Sequence, residues 1–178
     1  MRWTVASLLV LLGALGACHH VPGQEVPDVR TPPVVVNEML RLAAVTPDDV
    51  VYDLGSGDGR IVIAAAHDRG ARGVGFEIDP ALVAEANATA RRLGLTDRVS
   101  FRQDDLFKAD LREATVVTLY LSLDLNRRLR PKLLTELRPG SRIVSHAFDM
   151  GDWAPDRTMQ VTSNQGTHTL YLWVVPRR

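Results

Sequence analysis

Seven consecutive residues, Asp53-Leu54-Gly55-Ser56-Gly57-Asp58-Gly59, place three glycines and two carboxylates directly behind a short apolar run. Glycine lets a backbone turn sharply and come close to a bound molecule. Glu77 follows 24 residues after Asp53, where a carboxylate closing the next strand can accept hydrogen bonds from ribose hydroxyls. The chemistry indicated is the binding of a nucleoside-bearing cofactor. A pyrophosphate prefers an uncluttered helix N-terminus, whereas Asp53 and Asp58 crowd this loop with negative charge. A cationic ligand suits it better. The dinucleotide-binding pattern also wants a small residue where this chain has Arg60, so a nicotinamide-linked oxidoreductase is disfavoured.

Strands and helices must alternate to present such a loop. Thr31-Pro32 is a helix start, with Thr31 as the capping hydroxyl, and Val35, Met39, Leu42 and Ala43 share a face of a helix ending near Ala44. Val50 to Leu54 reads as a buried strand, and Arg60 to Arg69 as a helix closed by Gly70. Arg72 to Glu77 is a second strand. Asp79 and Pro80 open a helix with Leu82, Val83, Ala86, Ala90 and Leu93 on one face. Strands follow at Val99 to Phe101, Thr115 to Leu121 and Ile143 to Phe148. Pro131 is poorly tolerated deep inside a helix, so the intervening helix is expected to run from Pro131 to Arg138. Met159 to Ser163 and Thr169 to Val175 flank Asn164-Gln165-Gly166 as a terminal hairpin. The alternation predicts an α/β fold: a mostly parallel sheet, helices on both faces, and a C-terminal β-hairpin.

Four segments in this order resemble the motifs of class I, Rossmann-like, S-adenosylmethionine-dependent methyltransferases. The glycine loop resembles their first motif, and Gly73-Val74-Gly75-Phe76-Glu77-Ile78-Asp79 their second. Val99-Ser100-Phe101-Arg102-Gln103-Asp104-Asp105-Leu106-Phe107 resembles the segment whose acid holds the adenine amino group. Leu137-Arg138-Pro139-Gly140 resembles the turn before their fifth strand. The resemblance spans about Thr31 to Phe148. It implies S-adenosyl-L-methionine as cofactor, held by Asp53, Gly55, Ser56, Gly57, Gly59, Glu77, Ile78, Asp105 and Leu106, with Asp104 as the rival of Asp105. The helix before the glycine loop and the run from Arg138 to His146 are similar to a small lysine methyltransferase family whose eukaryotic members modify mitochondrial inner-membrane proteins. The late segment also resembles the non-SET histone lysine methyltransferases. The methyl acceptor implied is a protein lysine.

Methyl transfer is an in-line displacement in which the sulfonium supplies the leaving group, so the protein mainly aligns the nucleophile and excludes water. An amine acceptor must also lose a proton, yet no residue stands out as the base and the catalytic residues stay unassigned. Amide and base aminomethyltransferases carry an Asn-Pro-Pro-Tyr type motif after the fourth strand. This chain has Thr118-Leu119-Tyr120-Leu121-Ser122 there, placing Tyr120 and Ser122 beside the methyl position. His146 and Asp149 close the fifth strand within reach of it. The competing reading of Tyr120, Ser122 and His146 is plain strand packing. The basic run Asn126-Arg127-Arg128-Leu129-Arg130 reads best as a solvated surface, and Trp153 as either a loop aromatic over the site or core.

Composition bounds the rest. The chain has 178 residues, 46% hydrophobic and 24% charged, with formal net charge +0, which gives no long-range pull toward nucleic acid. Residues 1–17 pair one arginine with the apolar run Val5 to Leu15 and small residues, a secretory signal pattern. Leu15-Gly16-Ala17-Cys18 resembles a bacterial lipobox, implying an exported lipoprotein attached to a membrane through lipidated Cys18. Residues 18–30 then form a tether and 31–178 the methyltransferase domain. Cys18 is the single cysteine, which excludes an intrachain disulfide or a cysteine-built metal site, and no metal is expected. Export separates the domain from the cytosolic pool of S-adenosylmethionine, so an exported cofactor-binding or scaffold protein without transferase activity is the alternative. A cytoplasmic protein with a misread N-terminus would remove that conflict.

Overall fold

In a computed structural model of the chain, residues 30–177 are described. The signal, lipobox and most of the tether lie outside the described residues. The elements run α1 (Pro33–Leu42), β1 (Val50–Leu54), α2 (Arg60–Arg69), β2 (Arg72–Glu77), α3 (Pro80–Arg92), β3 (Val99–Gln103), β4 (Val116–Leu119), α4 (Leu123–Glu136), β5 (Arg142–His146), β6 (Arg157–Ser163) and β7 (Gly166–Val174). The seven strands form one sheet in the order β3-β2-β1-β4-β5-β7-β6. The first five are parallel. β7 pairs antiparallel with both β5 and β6, so the expected C-terminal hairpin is inserted with β7 against the parallel sheet.

The two-residue period of the strands sorts side chains to the two faces. Tyr52, Leu54, Val117, Leu119 and Ile143 pack against Leu125, Leu129 and Leu133 of α4. Val51, Val116 and Val144 face the other way, against Val35, Met39 and Leu40 of α1 and Ile61 and Ala65 of α2. Helices therefore cover both faces and leave the C-terminal edge of the parallel strands open. α1 ends with Ala44 at φ 49°, where the Ala44 and Val45 amides return to the Arg41 and Leu40 carbonyls at 2.9 and 3.0 Å, a Schellman closure. Among the described residues no helix is long and apolar enough to cross a membrane.

Three local expectations are corrected. α4 begins at Leu123, eight residues before Pro131, which sits inside it. Ser122 caps the helix by accepting the Leu125 amide at 3.3 Å, and the buried stripe of Leu125, Leu129 and Leu133 outweighs the one backbone N–H that proline removes. Ser122 is thus committed to the cap. Thr31 does not cap α1, whose N-cap is Pro32; its hydroxyl faces His146 instead. Leu93 is exposed past the end of α3, where Ala86 and Ala90 carry the buried face.

Candidate functional site

The glycine loop leaves the C-terminal end of β1 and is tied to β2, with the Gly55 and Ser56 amides both donating to the Phe76 carbonyl at 2.9 and 3.0 Å. Its glycines have separate jobs. Gly59 has φ +80°, and a Cβ there would lie 2.5 Å from the Phe101 ring and 2.9 Å from Ala86, so it sets the close approach of α2 to its neighbours. Gly57 has φ +52° and nothing within 4 Å of where a Cβ would be. It is the point at which the loop backbone is open to a ligand.

Glu77, at the end of β2, shapes this loop. Its Oε2 accepts the Gly57 amide at 2.9 Å, and Oε1 accepts the Ile78 and Asp79 amides at 2.8 and 3.0 Å. A carboxylate offers about four lone-pair sites. A position on Oε2 therefore remains open to a ribose hydroxyl. Ile78 is 59% exposed beside it, an apolar surface suited to a purine face.

Asp105 and Asp104 share the turn after β3. The Asp104 amide donates to the Glu77 carbonyl at 3.0 Å, and Asp104 Oδ1 accepts the Asp105 amide at 2.8 Å. Asp105 Oδ1 accepts the Phe107 amide at 2.9 Å, while its Oδ2 has only a 3.7 Å contact with Lys108. Of the two oxygens of Asp105, Oδ2 is thus the better placed to receive an amino group. Leu106 is half-buried against the α4-side core.

The two loop acids behave differently. Burial raises Asp58, but hydrogen bonds and charge from Arg60, with Arg30 behind it, outweigh that and hold it below the usual carboxylate range. Arg60 Nη2 lies 2.6 Å from Asp58 Oδ2. Asp58 therefore stays ionised against Arg60, and its charge still bears on the loop. Asp53 is 2% exposed. Burial first, opposed by the Thr118 hydroxyl donating at 2.7 Å and reinforced by the charges of Glu77 and Asp58, pushes its carboxyl up to about 7. Ser56 Oγ is buried without a hydrogen-bond partner among the described residues. An open glycine backbone, one vacant carboxylate position, an exposed apolar side chain and a buried acid that a cation would ionise fit S-adenosylmethionine.

The methyl end of the site follows from strand register. Leu54 pairs with Leu119, and Leu119 with Ser145, so Gly55, Tyr120 and His146 stand level along the sheet edge. Tyr120 is half-buried, its ring 3.9 Å from that of His146. Trp153 is committed to structure: it packs on the core, and its carbonyl accepts Trp173 Nε1–H at 2.8 Å. The basic run is largely paired, Arg128 with Asp124 and the Phe107 ring, and Arg130 with Asp152. An open groove of about 490 Å³ between α2 and α3 touches the site only through Asp58 and Arg60.

Sequence reasoning missed His168 and Asn126. His168 Nδ1 lies 2.9 Å from His146 Nε2, and its position on the hairpin gave no sign of that contact. Asn126 was hidden in the basic run. It is fully buried, and its Nδ2 donates to Ser145 Oγ and to the Phe148 and Asp149 carbonyls at 3.0, 3.0 and 3.2 Å.

The family described as "ANTKMT methyltransferase domain" matches residues 53–157. A protein-lysine N-methyltransferase of Saccharolobus islandicus is 46% identical over 157 residues, 88% of this chain and 96% of that protein. The adenine nucleotide translocase lysine N-methyltransferase of Mus musculus is 39% identical over 74% of this chain, which spans 57% of the mouse protein. A solved structure described as an RNA methyltransferase from Salinibacter ruber in complex with S-adenosyl-L-homocysteine is 57% identical, with TM-score 0.80, covering 84% of this chain and 95% of that one. With its class I sheet order, its glycine loop and these relatives, the chain belongs to the ANTKMT methyltransferase family and is an S-adenosylmethionine-dependent methyltransferase.

Proposed function

We propose that the acceptor is the ε-amine of a lysine in a protein. The observation that carries this is the 46% identity to a protein-lysine N-methyltransferase over nearly the whole of both chains. Several further relatives bear lysine methyltransferase names, although this chain spans about half the length of the vertebrate ones. When bound, S-adenosylmethionine supplies an electrophilic methyl and its own leaving group. Glu77, oriented by the amide of Gly57, would hold the ribose side, Ile78, Asp105 and Leu106 the adenine, and Asp53 the cationic methionine end. Gly55 and Tyr120, with His146 behind the tyrosine ring, would then lie beside the transferring methyl, with the acceptor amine in line with it.

The name of the Salinibacter ruber protein favours a second reading, an RNA acceptor. Against it stand the formal net charge of +0 and the pairing of Arg128 and Arg130 with acids, which leave little electrostatic attraction for a phosphate backbone. The test is transfer of radiolabelled methyl from S-adenosylmethionine into a total cell extract, followed by protease or ribonuclease. Label lost to protease and recovered as methyl-lysine supports the lysine reading; label lost to ribonuclease replaces it with the RNA one. For the cell, we propose an exported lipoprotein anchored through Cys18, on the strength of the apolar run and the lipobox-like Leu15-Gly16-Ala17-Cys18.

A further inference from the structure

A hydrogen-bonded chain runs behind Tyr120 from the start of α1 to the tip of the hairpin. Thr31 Oγ1 is 3.3 Å from His146 Nδ1, His146 Nε2 is 2.9 Å from His168 Nδ1, and His168 Nε2 is 2.8 Å from Ser163 Oγ. Ser163 Oγ also accepts the Gln165 amide at 2.9 Å. With both imidazoles neutral, every link has one donor and one acceptor whichever end the chain starts from. His146 is 1% exposed, and both its ring nitrogens are engaged. Its ring is therefore fixed at each edge, and its face carries Tyr120 at 3.9 Å and 32° between planes.

The backbone beneath is strained at the same place. Ala147 has φ +67°, and the Phe148 amide donates back to the His146 carbonyl at 2.9 Å, a γ-turn with the costly sign of φ for a residue bearing a Cβ. Asn126 holds it through the Phe148 and Asp149 carbonyls, and the Ala147 amide donates to the Thr169 carbonyl at 2.8 Å. Thr31 links the chain to the cofactor side, because its carbonyl accepts Arg60 Nη1–H at 2.9 Å from the helix that follows the glycine loop. Backbone strain, a buried imidazole bonded to a half-buried one, and a stacked tyrosine converge on the strand end level with Gly55.

We infer that His146 is a positioning residue for methyl transfer: clamped by Thr31, His168 and Ser163, it fixes the Tyr120 ring as one wall of the position the methyl occupies. This deepens the proposed function and rests on S-adenosylmethionine binding at the glycine loop. His146 does not touch the reacting atoms; it acts through Tyr120.

The experiment compares the wild type with His146→Ala, His146→Phe and His168→Ala by two acceptor-independent readouts. The first is calorimetric affinity for S-adenosylmethionine and for S-adenosylhomocysteine, which differ only in the methyl and its charge. The second is the ring NMR of tyrosine-labelled protein, which has Tyr52, Tyr120 and Tyr171 to resolve. His146→Ala is expected to change the ratio of the two affinities threefold or more, keep S-adenosylhomocysteine affinity within twofold, and shift the Tyr120 ring signals. His168→Ala is expected to shift Tyr120 in the same direction by less. His146→Phe, which keeps a ring for the stack, is expected to restore the ratio toward wild type. If His146→Ala does not fold, His168→Ala and His146→Phe still decide the question. An unchanged ratio with unmoved Tyr120 signals overturns the inference, as does parallel loss of both affinities, which would make His146 part of the general fold. Wild type that binds neither compound overturns the cofactor reading instead, and the ring signals still show whether His146 holds Tyr120.

Discussion

Replacing Asp53 by asparagine tests the electrostatic design of the loop. Asp53 is buried, receives the Thr118 hydroxyl at 2.7 Å and has its carboxyl pushed up to about 7, against about 3.9 in an unfolded chain. The fold therefore binds a proton that the unfolded chain releases between those values. The stability from this group is fully present below about pH 3.9 and is lost as pH rises through about 7. Between pH 5 and pH 8 the wild type is expected to lose about 3 kcal/mol on this account. The Asp53→Asn variant would keep the acceptor oxygen for Thr118 and lose nothing over the same range. Urea unfolding of the ligand-free protein at pH 5, 6, 7 and 8 measures the difference, since contributions shared by both proteins cancel. The second arm is affinity for S-adenosylmethionine at pH 8, where the carboxylate is ionised and can meet the ligand's positive end. There Asp53→Asn is expected to bind more weakly by about thirtyfold or more, the lower end for losing one partner of a buried charge pair. The free α-amino group of the ligand titrates near pH 8, so the comparison with the variant at each pH separates its effect from that of Asp53. A stability difference between wild type and Asp53→Asn that is flat from pH 5 to 8 refutes the raised pKa. Equal affinity at pH 8 refutes the assignment of Asp53 to the cationic end.

Glu77→Ala is expected to weaken cofactor binding tenfold or more by calorimetry and also to destabilise the ligand-free fold by about 1–3 kcal/mol, because it removes the acceptor of three backbone amides. A full-strength binder would show that the ribose is held elsewhere. Ala44→Gly relieves a left-handed residue in the closure of α1 and is expected to stabilise by about 0.5–1 kcal/mol, raising the melting temperature by about 2 °C. A lower melting temperature would rule that out. Cys18→Ala is expected to abolish fatty-acid labelling of the protein in cells, and unchanged labelling would sink the lipoprotein proposal.

The bounds of β1, α2 and β2 were legible almost to the residue, because apolar runs end on glycine or charge at Leu54, Gly70 and Glu77. α4 was not. Pro131 reads locally as a helix start, and only the sheet face covered by Leu125, Leu129 and Leu133 supplies the burial that carries the helix through it. The cofactor loop was legible because its residues are consecutive and obey backbone rules. The partners of His146 were not: Thr31 lies 115 residues before it in the chain and His168 lies on a hairpin beyond it, and nothing in local composition announces either contact.

Arg60 shows how one departure from a familiar pattern does several things. In a dinucleotide site that position is small so that a helix can pack closely. Here close packing is met one residue earlier by Gly59 against Phe101 and Ala86, which frees position 60 for a long side chain. Arg60 uses it to bind Asp58 at 2.6 Å and the Thr31 carbonyl at 2.9 Å. The first contact keeps Asp58 ionised and paired, and its charge helps to hold up the carboxyl of Asp53, the acid whose ionisation a cationic ligand can drive. The second fastens the start of α2, directly behind the glycine loop, to the residue whose hydroxyl reaches His146.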